Sequence, residues 1–439
     1  MGFLMSSMGA LAAMAMEVGG GSSGGAKPAE PKVEAVASPA QAAWERYHQT
    51  FVEQRERFLK SEFAKDPQLR AQGLYLLQTQ EVTAFNFYVA PRTQYPALYI
   101  QSLFMPIELS WGLPNPDFLN HNGFVDGAHT YRIWGNRKGS YWATLQVFKG
   151  FWGDEVQGNQ ANIDFDDVPT APDGSFEIFL GPNPPADTKD KYWVKLDPTI
   201  HNAMLAMRET FYDWNRDVPM EVHIECLDRE PGAPIHFDEN ELAARIDKAR
   251  KWAVFHFDFV TGGAQRYLGV GGEAPALARN QFHGNSTARQ TGGNPLGYWV
   301  NMLYDLKPDE ALIIDMPVIE ARYWGVQLGS IWQQTTDYAY HQSSLNGAQA
   351  RLDADGRFRA VLSLKDPGVP NWLDPAGLPI GTALLRFYKS DDYVTPTTTK
   401  VALSEVRAHL PKDTPVVTPE QRNAALAARR RAALRWYGQ

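Results

Sequence analysis

The sequence predicts a mainly β protein built from two repeated jelly-roll or β-sandwich-like units, with helical segments at the N-terminus, in the middle of the chain and at the C-terminus. Three observations support this fold class. Many short strand-like runs are bounded by turn residues, a motif series repeats at long range, and helix-start signals occur at three places.

The composition indicates a globular chain and excludes several classes of function. Of the 439 residues, 44% are hydrophobic and 21% are charged, and the net charge is −8. Nucleic-acid binders normally carry a basic surface, so no nucleic-acid partner is expected. The single cysteine, Cys226, excludes a disulfide framework and a multi-cysteine metal site. No segment is long and apolar enough for a membrane span, and a homo-oligomer is left open.

The helix-start signals combine a capping residue with proline or glutamate in the first turn. Ser38-Pro39 opens the first helix, and Leu69 to about Thr83 is expected to continue this helical lead-in. Asp238 caps a second helix, and Thr418 opens a third one as a capping box. The arginines near the end of the last helix are interpreted as a solvated helix terminus; they are Arg429, Arg430, Arg431 and Arg435.

Strand-like runs rich in β-branched and aromatic residues fill most of the remaining chain. The clearest are Tyr141–Phe148, Ser175–Leu180, Glu221–Leu227, Ala311–Val318 and Ala383–Tyr388. Between the two halves, residues 261–297 contain nine glycines and little periodicity, which predicts a long loop or a linker.

The repeat is visible in paired motifs about 180 residues apart. Tyr141-Trp142 precedes Asp173-Gly174 by 32 residues, and Tyr323-Trp324 precedes Asp355-Gly356 by the same distance. Each half then carries an arginine within an apolar, strand-like run, Arg208 in the first and Arg386 in the second. Two copies of one β-rich unit are therefore expected.

These motifs divide the chain into six predicted segments. They are a signal-like or disordered tail and linker (1–37), a helical lead-in (38–105), a first β unit (106–230), a helix plus glycine-rich linker (231–297), a second β unit (298–410) and a C-terminal helix (411–439). The apolar run Phe3–Met16 has the length of a signal-peptide core, but no lysine or arginine precedes it. A signal peptide, a flexible tail and a misassigned start codon stay open, and a cytoplasmic location is favoured over export.

The two halves resemble a bacterial family called domain of unknown function 1214, whose members often pair with a second such domain numbered 1254. The similar stretches are Trp111–Asp117, Tyr131–Gly135 and Arg208–Trp214 in the first half, and Pro308–Ala350, Asp353–Gly356 and Asp366–Pro375 in the second half, which matches best. Together they cover about residues 73–393. The resemblance implies paired jelly-roll units with an architecture similar to peptide-N-glycosidases. It implies no established reaction.

Motifs for common cofactor chemistry are absent, so no cofactor and no metal are expected. The sequence has no phosphate-binding P-loop, no HExxH zinc motif and no GxSxG nucleophile elbow. His223-Ile-Glu225 and His256-Phe-Asp258 each place an imidazole and a carboxylate on one face of a predicted strand. Surface-facing pairs are the favoured interpretation, and a metal site with N and O ligands is the alternative.

The segment Trp332–Asn346 combines aromatic rings with amides, hydroxyls and one histidine, the mixture that a concave binding site needs. His341 is the predicted proton-transfer residue, and Asp337 or Tyr340 is expected to orient it. The alternative is a loop held by its own hydrogen bonds. The predicted catalytic residues are therefore His341 and Asp337. The predicted ligand-binding residues are Asn115, Asp117, Arg208, Arg322, Trp324, Trp332, Tyr338, Tyr340, Gln342, Asn346 and Arg386.

Two of these sets have a simpler structural explanation. Arginine inside an apolar strand is more often a structural charge paired across the sheet, which is the favoured interpretation of Arg208 and Arg386. Asn115 and Asp117 belong to a turn-rich segment that turn chemistry alone can explain.

The function stays unassigned at this point, with catalysis slightly favoured. The first hypothesis is a protein that binds or cleaves a glycan or glycoconjugate in a cleft between the two β units. A glycosidase would need two carboxylates about 5–9.5 Å apart, and Asp117, Asp213, Asp258 and Asp337 are equivalent candidates. The alternatives are an enzyme or binder of a small apolar metabolite (steroid, terpenoid or lipid) and a non-catalytic interaction module.

Overall fold

The computed structural model describes residues 38–90, 92–100, 112–185, 191–229, 232, 238–270, 278–285 and 294–436. The predicted tail over 1–37 lies outside these residues, as does Trp111 of the first-half motif. In the described residues the chain is mainly β, with four sheets in two similar halves and helices before, between and after them, as predicted.

The described residues contain four α-helices, and at the start of the second, third and fourth a capping side chain accepts hydrogen bonds from free N–H groups. They are α1 (Pro39–Leu59), α2 (Pro67–Ala84), α3 (Glu239–Leu268) and α4 (Pro419–Arg435), with a π-helical turn at Phe85–Val89 and 3₁₀ turns at Glu62–Lys65, Phe165–Asp167 and Leu403–His409. The Asp238 carboxylate accepts hydrogen bonds from the N–H groups of Asn240 and Glu241, and Thr418 forms a capping box with Gln421. Both predicted helix starts are confirmed.

The predicted start of the glycine-rich loop, residue 261, is too early in the sequence. Residues up to Leu268 form the last two turns of α3, which ends at Gly269 in a left-handed conformation with φ of 67°. Val260 and Ala264 are fully buried in this part of the helix. Their packing outweighs the low helix propensity of the neighbouring glycines.

The first β unit consists of two sheets. Its strands are β1 (Tyr99–Ile100), β2 (Phe118–Val125), β3 (Tyr131–Asn136), β4 (Trp142–Gly150), β5 (Gly158–Asp164), β6 (Ser175–Gly181), β7 (Tyr192–Lys195), β8 (Ala203–Thr210) and β9 (Glu221–Cys226). The five-stranded sheet has the order β1-β2-β8-β4-β5, and the four-stranded sheet has the order β7-β6-β3-β9. Their facing sides enclose an apolar core that includes Ile133, Leu145 and Leu205.

The second β unit repeats this topology strand by strand. Its strands are β10 (Phe282–Asn285), β11 (Gly297–Asp305), β12 (Glu310–Pro317), β13 (Tyr323–Gly329), β14 (Ser344–Asn346), β15 (Arg357–Ser363), β16 (Trp372–Leu373), β17 (Ile380–Tyr388) and β18 (Thr397–Ala402). The sheet orders are β10-β11-β17-β13-β14 and β16-β15-β12-β18. The core between them includes Ile314, Val326 and Leu385. The predicted repeat is therefore confirmed as a repeat of fold.

The strand register corrects one detail of the repeat. Arg208 is paired with Thr144 and Arg386 with Gly325, so β4 and β13 are equivalent at an offset of 181 residues. Trp142 is then equivalent to Tyr323, and not to Trp324 as the paired motifs suggested. A shift of one residue turns a strand side chain to the other face of the sheet. Accordingly, Trp324 packs inside its own unit, with its ring 5.0 Å from that of Phe358.

The two five-stranded sheets, called the inner sheets below, turn their outer faces toward each other. Tyr141 donates a hydrogen bond of 2.7 Å to the carbonyl of Arg322, and Arg322 donates one of 3.0 Å to the carbonyl of Tyr141. These two residues are equivalent in the repeat, so the contact is reciprocal. The units therefore meet like the subunits of a two-fold symmetric dimer.

The helices pack against this pair of inner sheets. Ala249 and Trp252 of α3 belong to one apolar cluster with Phe124, Phe148 and Met204 of the first inner sheet. Val260 and Phe257 of α3 lie in another cluster with Leu303 of β11 and with residues of α1 and α2. The long helix α3 consequently contacts both units.

The C-terminal helix docks on both units, which corrects the interpretation of its arginines as a solvated end for Arg429 and Arg435. Arg429 donates to the carbonyl of Tyr338 and to the hydroxyl of Ser344, both at 2.6 Å, and its guanidinium lies 4.3 Å from the Trp214 ring centre. Arg435 donates to the carbonyls of Trp214 and Asp217. Among the four arginines, Arg429 is partly buried, and Arg430, Arg431 and Arg435 are exposed.

Candidate functional site

A cavity of about 380 Å³ lies between the two inner sheets and α3. Residues of both β units line it, and Phe255 and Phe259 close one side from α3. The volume falls in the range of about 300–1,000 Å³ that is typical of small-molecule sites. The sequence hypothesis expected a ligand-binding cleft between the two β units. The cavity lies between them, most of its lining residues were not predicted, and its binding of a ligand stays a prediction.

Eight of the twenty described lining residues of the cavity are aromatic, and seven are asparagine, glutamine or arginine. The rings of Phe151 and Trp152 stack at 5.3 Å, and Trp152 contacts Phe259 at 5.0 Å. The aromatic lining residues are Phe118, Phe148, Phe151, Trp152, Phe255, Phe259, Trp299 and Tyr388. Such a wall offers a large apolar contact area to a ligand that displaces water from it.

Two arginines at equivalent positions of the repeat also line the cavity. Arg208 lies on β8 and Arg386 on β17, each the central strand of its inner sheet. Arg208 donates to the Gln146 side chain at 2.9 Å, and Arg386 donates to the equivalent glutamine, Gln327. Arg386 also donates to the carbonyl of Leu113 at 2.5 Å. The partners across each sheet are thus neutral amides and not the charges that the structural interpretation of these arginines expected.

The electrostatics of this arginine pair are unusual for a protein interior. Burial lowers the pKa of both guanidiniums, and the charge of Arg386 lowers the pKa of Arg208 further. Among the described residues, no carboxylate lies within 4.0 Å of either arginine. Two like charges therefore share a cavity without an ion-pair partner, whereas buried charges are normally paired.

The two arginines differ in what lies beside them on the next strand. Asn120 is paired with Arg208, and Trp299 occupies the equivalent position opposite Arg386. The Trp299 ring centre lies 5.7 Å from the Arg386 guanidinium. Asn120 lines the cavity and makes no side-chain hydrogen bond to a described residue. The Arg208 side is consequently polar, and the Arg386 side is aromatic.

Asn115 and Asp117 belong to a buried hydrogen-bond network that joins the two units. The Asp117 carboxylate accepts from Tyr323 at 2.5 Å, from Trp214 at 2.7 Å and from Asn346 at 2.9 Å. Burial raises the pKa of Asp117, and these hydrogen bonds oppose that shift. Asn115 donates to the Tyr323 hydroxyl at 2.8 Å and also lines the cavity. The structure places Asp117 and Asn346 in this network and not among the residues lining the cavity.

The aromatic residues predicted as a binding segment in the second half are mostly buried. Trp332 packs with Phe58 and Phe63, and Tyr338 packs near Trp214 in another cluster. Tyr340 is partly exposed and lies under the exposed Arg430, at 4.6 Å. The Gln342 amide donates to the carbonyls of Pro370 and Trp372. The structure brings none of these residues into the cavity lining.

His341 has an acidic partner, but a different one from that predicted. Its Nδ1 atom lies 2.7 Å from the carboxylate of Asp374, which is buried. Asp337 instead accepts hydrogen bonds from the N–H groups of Ala339 and Tyr340, so it closes a local turn. His341 is partly exposed and lies outside the cavity lining. Its catalytic role stays a prediction.

Arg322 and Trp324 also lie elsewhere. Arg322 stacks on Tyr141 at 4.6 Å in the reciprocal contact between units. Of the predicted site residues, Asn115, Arg208 and Arg386 are the ones that line the cavity.

The structure places the two predicted histidine–carboxylate pairs in different kinds of element, one on a strand and one on a helix. His223 and Glu225 lie on β9, where His223 is exposed and close to Glu221 at 3.2 Å, as expected for a surface pair. His256 and Asp258 lie on α3 and not on a strand, because the helix is longer than predicted. Among the described residues, no group of three or more metal-ligating side chains is present.

No described lining residue of the cavity is a carboxylate. Asp213 closes a turn by accepting from the N–H of Asn215, and Asp258 forms an ion pair with Arg57. The described geometry thus offers no pair of carboxylates in the cavity for a glycosidase mechanism.

Sequence reasoning missed most of the cavity wall, although two signals pointed toward it. Phe151 and Trp152 directly follow the strand β4, where a loop aromatic pair is typical of a binding surface. Phe255 and Phe259 are four residues apart, a spacing that places them on one helix face. Recognising the second signal required a helix at this position, where a strand was predicted.

Comparison with known proteins agrees with the family resemblance. Residues 120–212 match the model of a family described as a protein of unknown function (DUF1214). The match lies in the first β unit, whereas the sequence resemblance was strongest in the second. No curated protein matches the chain.

Two solved structures are similar to this chain. The crystal structure of an uncharacterized protein from Burkholderia cenocepacia has 27% identity and a TM-score of 0.74, and the match covers 83% of this chain and 98% of that chain. The VPA0106 protein from Vibrio parahaemolyticus has 14% identity and a TM-score of 0.40, with 66% of this chain and 90% of that chain covered. Within the described residues, no helix is both long and apolar enough to cross a bilayer.

Proposed function

We propose that this protein, whose first β unit matches the DUF1214 family, binds a small and largely apolar organic molecule in the cavity between its two β units. The observation that supports this most is the aromatic wall, to which both units and α3 contribute. A site of this size and composition buries most of the surface of a small ligand.

The lining residues favour binding over acid–base catalysis. Among the described ones, Arg208, Arg386 and Tyr388 are the titratable side chains, and none of them is a histidine or a carboxylate. A small apolar metabolite, such as a steroid, a terpenoid or a lipid, fits the aromatic lining residues of the cavity better than a glycan does. That the ligand is a glycan stays a prediction, and oligosaccharides are therefore included among the competing ligands below.

The test uses the neutral fluorescent probe N-phenyl-1-naphthylamine. We expect its fluorescence to rise on binding, and we expect steroids, terpenoids or fatty acids to displace it better than oligosaccharides. Asn120→Trp should abolish probe binding by filling the cavity. The equivalent position, Trp299, already carries an indole, so an inner sheet accepts this side chain.

His341→Ala is the matched comparison, because it tests the other predicted site. We expect it to leave probe binding unchanged. If His341→Ala abolished binding while Asn120→Trp did not, the ligand would bind at the loop of the second unit and the cavity proposal would be wrong.

A further inference from the structure

We infer that the ligand is an organic anion, whose acidic group binds Arg208 and Asn120 while its apolar body lies on the aromatic wall. This inference rests on the proposed function and specifies the chemical class of its ligand. Its first support is the pair of cavity-lining guanidiniums without a carboxylate partner among the described residues. An anion supplies the charge that the surrounding protein groups do not.

The hydrogen bonds of the two arginines indicate which of them the acidic group contacts. Arg386 has a backbone carbonyl and an amide as acceptors, and the Trp299 ring lies beside it. Arg208 has one side-chain acceptor, Gln146, in the described residues. A guanidinium has five N–H donors, so Arg208 keeps more of them for a ligand than Arg386 does.

The position of Asn120 supports the same assignment. It is paired with Arg208 across β2 and β8, lines the cavity, and makes no side-chain hydrogen bond to a described residue. An amide N–H beside a guanidinium provides two kinds of donor for one carboxylate or sulfonate. Arg386 then contributes a second positive charge from a fixed position.

The shape of the site fixes the orientation of the ligand. The polar side, with Arg208 and Asn120, belongs to the first inner sheet, while Trp152, Phe255 and Phe259 line the cavity from a loop and from α3. A ligand with an acidic group at one end and an apolar body matches both parts. A neutral ligand of the same body would leave both guanidiniums without an ion-pair partner among the described residues.

The experiment compares two probes that share one aromatic body. The anionic probe is 1-anilinonaphthalene-8-sulfonate, and the neutral probe is N-phenyl-1-naphthylamine. Dissociation constants are measured by fluorescence titration for the wild-type protein, for Arg208→Met and for Arg430→Gln. The last variant is a control, because it also removes one positive charge, but from an exposed arginine beside Tyr340.

We expect Arg208→Met to weaken binding of the anionic probe by about 30-fold or more, as is usual when one partner of a buried charged contact is removed. Binding of the neutral probe should change by less than about 3-fold, and Arg430→Gln should change neither value. The melting temperature of unliganded Arg208→Met should be unchanged or higher, because the substitution removes a partly buried charge that has no ion-pair partner among the described residues.

Two results would overturn the inference. If Arg208→Met weakened both probes equally and lowered the melting temperature, Arg208 would be a structural residue, and the proposed binding of apolar molecules would still stand. If neither probe bound the wild-type protein, both the proposed function and the inference would be wrong.

Discussion

His256 shows what burial does to a polar side chain without a partner. It lies on α3 with 1% of its surface exposed, and its ring stacks on Trp252 at 4.9 Å. Neither ring nitrogen has a hydrogen-bond partner in the described part of the chain. Burial lowers the pKa of His256 to about 3, so the imidazole is neutral in the folded protein at neutral pH.

This residue predicts a loss of stability in mild acid. The unfolded chain binds a proton at His256 below its ordinary pKa of about 6.5, whereas the folded protein binds it only near pH 3. Between these values stability falls as the pH falls, by up to about 1.4 kcal/mol per pH unit. His256→Leu should reduce that slope in urea denaturation between pH 6.5 and 4.5. An unchanged slope would show that His256 is not the residue responsible.

For Arg208 and Arg386, some features could be predicted from the sequence and others only from the structure. Their polar position within apolar strands was evident from the sequence, and so was their equivalence in the repeat. Their neutral partners were not evident, because Gln146 lies 62 residues from Arg208 and Gln327 lies 59 residues from Arg386. Only the strand register brings each glutamine beside its arginine.

At the scale of elements, the C-terminal helix is held by buried polar contacts as well as by apolar ones. Arg429 is the central example. Its guanidinium donates a hydrogen bond to the Tyr338 carbonyl of the second unit and lies over the Trp214 ring of the first unit. Burial lowers the pKa of Arg429 to about 10. Trp436 continues this contact by stacking on Phe211 at 4.2 Å. The helix thus contacts both β units.

Removing this contact should destabilise the whole protein. We expect Arg429→Ala to lower the free energy of unfolding by about 2–4 kcal/mol, because it removes the hydrogen bonds from Arg429 to the Tyr338 carbonyl and the Ser344 hydroxyl and exposes the Trp214 ring. Urea denaturation at pH 7 measures this change. Arg431→Ala, at an exposed position of the same helix, should stay within about 0.5 kcal/mol of the wild type. Equal effects of the two substitutions would contradict the docking role of Arg429.

Local signals predicted the helix starts well, since a capping side chain and the first turn lie within four residues of each other. The end of α3 was predicted poorly for the opposite reason. Its last turns depend on Val260 and Ala264 packing against residues of other elements, and this packing is not visible in the local pattern. The strands of the second unit were predicted from the same local composition as those of the first, and both sets are found.

At the scale of the whole molecule, we expect the two units to unfold together, because they share several buried groups. Tyr323 of the second unit donates to Asp117 of the first, and Asn294 of the linker region donates to Thr144 at 3.0 Å. An apolar cluster with Phe118, Trp142 and Tyr388 lies between the same sheets. Opening the interface would expose these groups to water together.

Calorimetry should therefore show one unfolding transition for both β units, with similar calorimetric and van't Hoff enthalpies. Tyr323→Phe removes the hydroxyl shared by Asp117 and Asn115 and should lower the temperature of that transition without splitting it. Two separate transitions in the wild-type protein would show that the interface is weaker than its contacts indicate.

The duplication within one chain has a consequence for how such a site can change. In a homodimer, every substitution near the symmetry axis appears on both sides at once, so the pocket between the subunits stays symmetric. Here the two copies are encoded separately, and the equivalent positions Asn120 and Trp299 have already diverged. Selection can adjust either side alone, which allows a recess between matching halves to fit a molecule whose two ends are chemically different.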